Sequence, residues 1–156
     1  MSRIADRLTE LGISLPGPHP PHAPLAAVVV HDGVARTSGQ LPRIAGELTC
    51  IGVLGDTVTV DEGRAAARIC ALNALSVLTE ELGDLDRIER MLHMTGYVAS
   101  APGFDQQPTV VDGASSVLVE IFGATAGAHT RSAVGVAALP RKGAVEIELT
   151  VAIRSS

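Results

Sequence analysis

The sequence predicts an α+β fold, in which one small β-sheet carries two long helices on one face, with a further short helix at the N-terminus. Three observations support this prediction. Apolar and polar residues alternate in the last strand-like stretch, around 145–153, as they do in half-buried strands. Two other stretches, around 60–82 and 109–122, repeat apolar residues at helical spacing. The length of 156 residues fits a single domain.

The first 24 residues predict a short helix and a stiff connector. Residues 2–11 carry apolar side chains at helical spacing, with Ser2 as the N-cap and Gly12 as the end of the helix. Residues 15–24 contain five prolines, which exclude the interior of a helix or sheet. We therefore divide the chain into a helix-and-connector segment, residues 1–24, and one domain, residues 25–156.

Two strands follow the connector. They fit residues 26–30 and 34–38, because the Asp32-Gly33 pair between them is typical of a hairpin turn. Residues 43–61 then look like a loop. This loop contains glycines but lacks the Gly-Lys-Ser/Thr sequence of a phosphate-binding loop, so a nucleotide cradle is excluded.

Two long helices flank a third strand in the middle of the chain. Thr59 and Glu62 form a capping-box pattern at the start of the first helix, and Gly83 is a suitable end. The third strand fits residues 88–100. The second helix fits residues 109–122, and a glycine directly after it ends it.

The last quarter predicts two strands, about 131–138 and 145–153, joined as a hairpin. In that arrangement the side chains of Arg131, Glu146 and Glu148 lie on the same side, away from the core. An arginine above small residues and beside two carboxylates suits a compact anion such as a carboxylate. The alternative interpretation is an ordinary solvent-exposed sheet face that carries charges.

Composition excludes several classes of protein. The net charge is −5, aromatic residues make up 2% of the chain and tryptophan is absent, which argues against nucleic acid as a partner. No signal peptide or membrane-spanning apolar run is visible, so we expect a cytoplasmic protein without a membrane partner. Cys50 and Cys70 are expected to be free thiols. The histidines are scattered without zinc-ligand spacing, and no metal is expected.

The predicted layering leaves one face of the sheet uncovered. That face is too mixed in character for an apolar core. Association of several copies through it, with polar clefts at the seams, would cover it.

The chain contains the motifs Thr37-Ser38-Gly39-Gln40-Leu41-Pro42, Gly83-Asp-Leu-Asp86, Arg131-Ser132, Leu139-Pro140 and Val145-Glu-Ile-Glu148. These motifs resemble the YjgF/Rid family, the reactive intermediate/imine deaminases, which carry the older labels endoribonuclease L-PSP and translation initiation inhibitor. The resemblance runs from about residue 26 to residue 153, and its C-terminal part is the most specific. It implies a chorismate-mutase-like fold, a homotrimer with ligand sites between subunits, and no cofactor.

The resemblance also implies a site. Arg131 matches the family arginine that binds a substrate carboxylate, and Glu146 matches the glutamate that positions the attacking water. Ser38 and Gly39 match the strand-end segment whose backbone faces the ligand. Ala133 stands at a substrate-binding position where archetypal members have cysteine. Archetypal members hydrolyse 2-aminoacrylate or its 2-imino tautomers to a 2-keto acid and ammonia.

This chain departs from the archetype in two ways and so resembles a divergent subgroup. The cysteine position is Ala133, and the stretch 23–30 lacks the aromatic residue, usually tyrosine, that precedes the second strand. Three hypotheses therefore remain: an enzyme that hydrolyses 2-imino acids, a non-catalytic module that binds small carboxylates, and a ribonuclease. The acidic charge balance and the missing stacking residues make the ribonuclease the least favoured.

The predicted hairpin places Arg131 and Glu146 roughly 20 Å apart, at about 3.4 Å per residue. Within one chain they would not share a small ligand. We therefore predict that each site combines Arg131 of one subunit with Glu146 of its neighbour. His129 has two possible roles, in proton transfer or in a structural contact with the backbone. Asp112 lies either at the rim of the site or at a solvated position of its helix.

Overall fold

A five-stranded sheet forms the centre of the protein. In the computed structural model, which describes residues 2–155, the strand order is β1-β2-β7-β5-β6, and β3 and β4 form a separate short hairpin. All neighbours in the five-stranded sheet are antiparallel except β5 and β6, which are parallel. The strands are β1 Val28–His31, β2 Val34–Thr37, β3 Arg43–Ile44, β4 Glu47–Leu48, β5 Ile88–Ala99, β6 Thr130–Val136 and β7 Val145–Ile153.

Three α-helices accompany the sheet, and they confirm the predicted α+β class. They are α1 Arg3–Glu10, α2 Val60–Leu82 and α3 Gln107–Ala126. The predicted caps are present: Ser2 Oγ accepts from the backbone of Ala5, and the capping box joins Thr59 and Glu62 in both directions, at 2.8 and 3.2 Å. Gly83 ends α2 with φ +80°, a conformation that glycine adopts without strain.

The core lies between the sheet and the two long helices. It is built from aliphatic residues, as the scarcity of aromatic residues predicts. Along β7 every second residue is buried, from Val145 to Ile153, which confirms the predicted alternation. The residues between them, which include Glu146 and Glu148, lie on the opposite face.

Helix α3 extends slightly beyond its predicted bounds. The predicted stop, Gly123, leaves the helical conformation with φ +86°, and a further turn follows it to Ala126. By length and composition alone this helix is apolar enough to cross a membrane, contrary to the expectation from the sequence. Its apolar stripe, from Val110 to Phe122, is however buried against α2 and the sheet, as in a core helix.

The predicted hairpin of the last two strands is wrong. Strand β5 lies between β6 and β7, because β6 returns through α3 as a parallel neighbour of β5 and β7 then crosses to its other side. Residues 137–144 are therefore a crossing connection with a short 3₁₀ turn at Pro140–Lys142. This topology also changes which side chains share a face.

The segment 43–61 is more ordered than the sequence suggests. It contains the β3–β4 hairpin, and its later part is held by backbone hydrogen bonds, including Leu54 to Ala99 at 2.8 Å. Helix α1 is anchored to the domain as well, since the backbone N–H groups of Arg3 and Ile4 donate to the carboxylate of Asp86 at 2.6 and 2.9 Å.

Candidate active site

A small cleft lies where β2 ends beside the start of β7. Its volume is about 150 Å³. One wall comes from the residues that follow β2 and from Glu146 of β7, and the other comes from the proline-rich connector that crosses above them. The polar and glycine residues that matter for its chemistry are His19, His22, Ser38, Gly39, Arg43 and Glu146.

Backbone pairing beyond the end of β2 builds the sheet wall of this cleft. Gln40 and Ile147 exchange two backbone hydrogen bonds, at 2.8 and 3.0 Å, so the chain after β2 stays beside β7. Gly39 consequently lies directly against the Glu146 side chain. A Cβ atom at position 39 would stand 2.6 Å from Oε1 of Glu146, too close for any side chain to fit without moving the carboxylate.

The Glu146 carboxyl group has an unusual electrostatic environment. Burial, and secondly the charge of Glu148, raises its pKa. Glu148 itself is paired, because it accepts a hydrogen bond from Tyr97 Oη at 3.1 Å and lies 3.5 Å from the guanidinium of Arg36. Within residues 2–155, no side chain or backbone group donates a hydrogen bond to the Glu146 carboxylate. This carboxylate is therefore available to a ligand or a water molecule.

Basic groups surround the other side of the cleft. Burial, and secondly the charges of Arg43 and Arg141, lowers the pKa of His19. A neutral imidazole is thus favoured there at neutral pH. The cleft combines one carboxylate with nearby guanidinium groups, which suits a small ligand that carries a negative charge.

Arg131 occupies a different position. It pairs with Met94 of β5, whose side chain is fully buried on the helix side, so Arg131 also faces the helix layer. Its guanidinium donates to Asp112 at 2.7 Å, to Ser115 at 3.2 Å and to the Pro108 carbonyl at 3.4 Å, all on α3. We call this group the Arg131 corner.

The prediction that Arg131 and the two glutamates share a non-core face is therefore wrong. Glu146 pairs with Tyr97 on one side of β5 and on the uncovered face, whereas Arg131 lies on the other side of β5 and on the helix-covered face. Ala133 faces the helix layer too, as the neighbour of Gly96. Strand β6 turns the opposite face to the helices from the one predicted, because it pairs in parallel with β5. The prediction assumed that β6 forms a hairpin with β7.

Three of the predicted site residues, Ser38, Gly39 and Glu146, lie together in the cleft. Within one chain the other two, Arg131 and Ala133, lie apart from them. His129 is a structural residue of the Arg131 corner: its ring contacts the Gly127 carbonyl at 2.6 Å and Ser115 Oγ at 2.9 Å. Asp112 is the ion-pair partner of Arg131.

Sequence reasoning missed the contribution of the connector and of Arg43 to the cleft. Two histidines inside a proline-rich segment are an unusual feature that could have indicated a role for His19 and His22. No local pattern could have identified Arg43, because its place depends on the β3–β4 hairpin. Among residues 2–155, no cluster of three or more histidine, cysteine or acidic side chains is arranged to hold a metal ion.

The fold and the cleft together define a chorismate-mutase-like α+β domain with a small, carboxylate-bearing cleft beside the uncovered sheet face. Residues 7–150 match the family model described as "YjgF/chorismate_mutase-like, putative endoribonuclease". The chain belongs to this YjgF family, which confirms the resemblance found in its motifs.

Individual relatives cover nearly the whole chain. Protein TCP17 of Trypanosoma cruzi is 41% identical over 155 residues, which are 98% of this chain and 96% of that protein. The crystal structure of Atu1372, a protein of unknown function from Agrobacterium tumefaciens, superposes with a TM-score of 0.89 at 37% identity, covering 97% of this chain and 93% of that one. A "putative endoribonuclease" from Shewanella oneidensis gives a TM-score of 0.92 at 31% identity, covering 96% and 99%.

Proposed function

We propose that this protein hydrolyses reactive 2-imino and enamine acids of the 2-aminoacrylate type to 2-keto acids and ammonia. The observation that carries the proposal is the Glu146 carboxylate, which lies without a protein hydrogen-bond donor, among residues 2–155, in a cleft of about 150 Å³. Clefts for drug-sized ligands are about 300–1,000 Å³, so this volume suits a molecule of few atoms. Membership of the YjgF family supports the same reaction class.

Imine hydrolysis needs few catalytic groups from the protein. The imine carbon is already electrophilic, so orienting the substrate and one water molecule supplies much of the acceleration. Glu146 accepts a proton from the attacking water, and its raised pKa makes it a better base than an ordinary carboxylate. An arginine can bind the substrate carboxylate through two parallel hydrogen bonds.

The arginine in this proposal comes from a second subunit. Within one chain Arg131 and Glu146 lie on opposite faces of the sheet and on opposite sides of β5. Strand β6 is however an edge strand, and the uncovered face carries exposed apolar side chains such as Val134 and Val29. We propose a homotrimer in which Arg131 and Ala133 of one subunit complete the cleft of the next.

Two further points complete the proposal. We place the protein in the cytoplasm, where free thiols such as those of Cys50 and Cys70 are the rule. Although a structural relative is named a "putative endoribonuclease", the small cleft and the low aromatic content do not favour RNA as the substrate.

The test is the release of ammonia and keto acid when the protein is added to freshly generated 2-aminoacrylate or 2-imino acids. We expect the parent to accelerate release, and the Arg131→Ala and Glu146→Gln variants to lose about 10²-fold or more of that acceleration. Glu89→Gln, which changes an exposed carboxylate on β5, is the matched control and should keep parental activity. The proposal is wrong if the parent does not accelerate release. Arg131-dependent binding of pyruvate without turnover would instead indicate a non-catalytic binding module.

A further inference from the structure

The proline-rich connector is a fixed wall of the Glu146 cleft. Its Gly17 backbone N–H donates to Ser76 Oγ on α2 at 3.2 Å, and a turn from His22 to Leu25 is closed by a backbone hydrogen bond of 2.8 Å. The prolines between these two anchors restrict the backbone further. The backbone around His19 is therefore held beside the cleft, and His19 is one of the residues that line it.

The size of the cleft brings its two walls within reach of one small ligand. A volume of about 150 Å³ leaves room for little more than the ligand itself, so a bound molecule contacts both the Glu146 wall and the connector wall. Ser38 is not free for proton transfer, because its hydroxyl donates to the Ala26 carbonyl at 2.7 Å. The proton-transfer groups that line the cleft are thus Glu146 on one wall and the connector histidines on the other.

Of the two histidines, His19 lies two residues from the Gly17 anchor and lines the cleft together with Arg43. Arg43 and Arg141 are close enough to His19 to act on its charge, and they reinforce the effect of burial in lowering its pKa. The lowered pKa favours the neutral ring, in which one nitrogen carries a free lone pair. Its outer side is exposed, so a proton that it accepts can pass to solvent.

We propose that His19 is a second proton-transfer residue of this cleft, in the same subunit as Glu146, and that it accepts the hydroxyl proton of the tetrahedral intermediate. This inference rests on the proposed imine hydrolysis. It assigns a catalytic role to a segment that precedes the five-stranded sheet.

The two steps balance as follows. In the first, water adds to C2 of the iminium acid: a C–O bond forms, the C=N π pair moves to nitrogen, and one water proton goes to Glu146. In the second, protonated Glu146 gives that proton to the amine nitrogen, the C–N bond breaks with its electron pair on nitrogen, and the C=O bond forms as the hydroxyl proton passes to His19. Ammonia then takes that proton and leaves as ammonium, which restores both residues.

The experiment compares His19→Ala with His31→Ala in the ammonia-release assay, with and without added imidazole. His31 is a matched control because it lies in the β1–β2 hairpin outside the cleft and its side chain is 85% exposed. We expect His19→Ala to lower kcat about 10²-fold with KM changed less than about threefold, and added imidazole to restore part of the rate. His31→Ala should match the parent with or without imidazole.

Each other outcome has a distinct meaning. If the parent is active and His19→Ala keeps the parental kcat, the role of His19 is wrong while the proposed function stands. A rise in KM at constant kcat, or a loss that imidazole does not rescue in a variant with the parental melting temperature, also overturns it. An inactive parent overturns the proposed function itself, together with the step assigned to His19.

Discussion

The charged groups of the Glu146 cleft and of the Arg131 corner differ in their hydrogen-bond partners. In the cleft the carboxylate has no hydrogen-bond donor among residues 2–155, and burial raises its pKa. In the corner the guanidinium donates to Asp112, Ser115 and the Pro108 carbonyl, and its side chain is only 22% exposed. Among residues 2–155, the Glu146 carboxylate has no hydrogen-bond donor, whereas the Arg131 guanidinium has three acceptors.

This difference indicates what each region contributes. An unpaired, partly buried carboxylate costs stability and is typical of a reacting group. An arginine that is held by three hydrogen bonds is fixed in direction, and its other N–H groups suit a planar carboxylate. Asp112 thus fixes the direction of the Arg131 guanidinium. Two glycines, one near each charge, allow the two regions to be disturbed separately.

Gly113→Ala should have the largest effect and should act on the Arg131 corner. A Cβ at position 113 would stand against the backbone carbonyl of Arg64 on α2, an atom that cannot move aside without separating the helices. We expect a loss of about 2–3 kcal/mol in the free energy of unfolding. Urea unfolding measures it, and Ser116→Ala, an exposed change on the same helix, should stay within about 0.5 kcal/mol of the parent. Equal stability of the two variants would contradict the tight helix crossing.

Gly39→Ala should have a smaller effect on stability but a clear effect on activity. The new methyl group would displace the Glu146 carboxylate, which is the movable end of a side chain and can turn away. We expect at least a tenfold loss of kcat, about 1.4 kcal/mol, with little change in melting temperature.

The double variant Gly39→Ala/Glu146→Gln sharpens this prediction. If Gly39 matters only through Glu146, the double variant should be no less active than Glu146→Gln alone, because the two changes remove the same interaction. Additive losses would show instead that Gly39 affects the ligand independently of Glu146.

The smallest expected effect is the dependence of stability on pH at Glu146. Because the folded state raises the pKa of Glu146, the folded state binds this proton more tightly than the unfolded state does. The parent therefore loses stability from this group as the pH rises from the unfolded pKa through the folded one. Glu146→Gln should melt higher than the parent at pH 7, and the difference should shrink below about pH 4.

Thermal unfolding of both proteins between pH 3.5 and 8 measures this effect. Glu89→Gln, which replaces an exposed carboxylate on β5, is the control for the loss of one surface charge. A Glu146→Gln variant that is less stable than the parent at pH 7 would indicate a partner for the carboxylate and would remove the contrast with the Arg131 corner.

Several features could be predicted because they depend on neighbours in the sequence. The capping box of α2, the glycine at its end and the turn at Asp32-Gly33 each need only a few adjacent residues, and all three are present. Ser38, Gly39 and Glu146, which the motifs singled out, line one cleft. The faces of β6 could not be predicted in the same way.

The sequence by itself determined the helices, most of the strands and the family, and it pointed to Glu146 as a candidate site residue. Only the tertiary structure decided that β5 separates β6 from β7, that Arg131 faces Asp112, and that the connector covers the cleft. The physical reason is that alternation along a strand shows which residues share a face, while the pairing partner decides which face that is. Strand pairing, and the covering of the cleft by the connector, both bring together residues that are far apart in the chain. No local sequence pattern encodes such contacts.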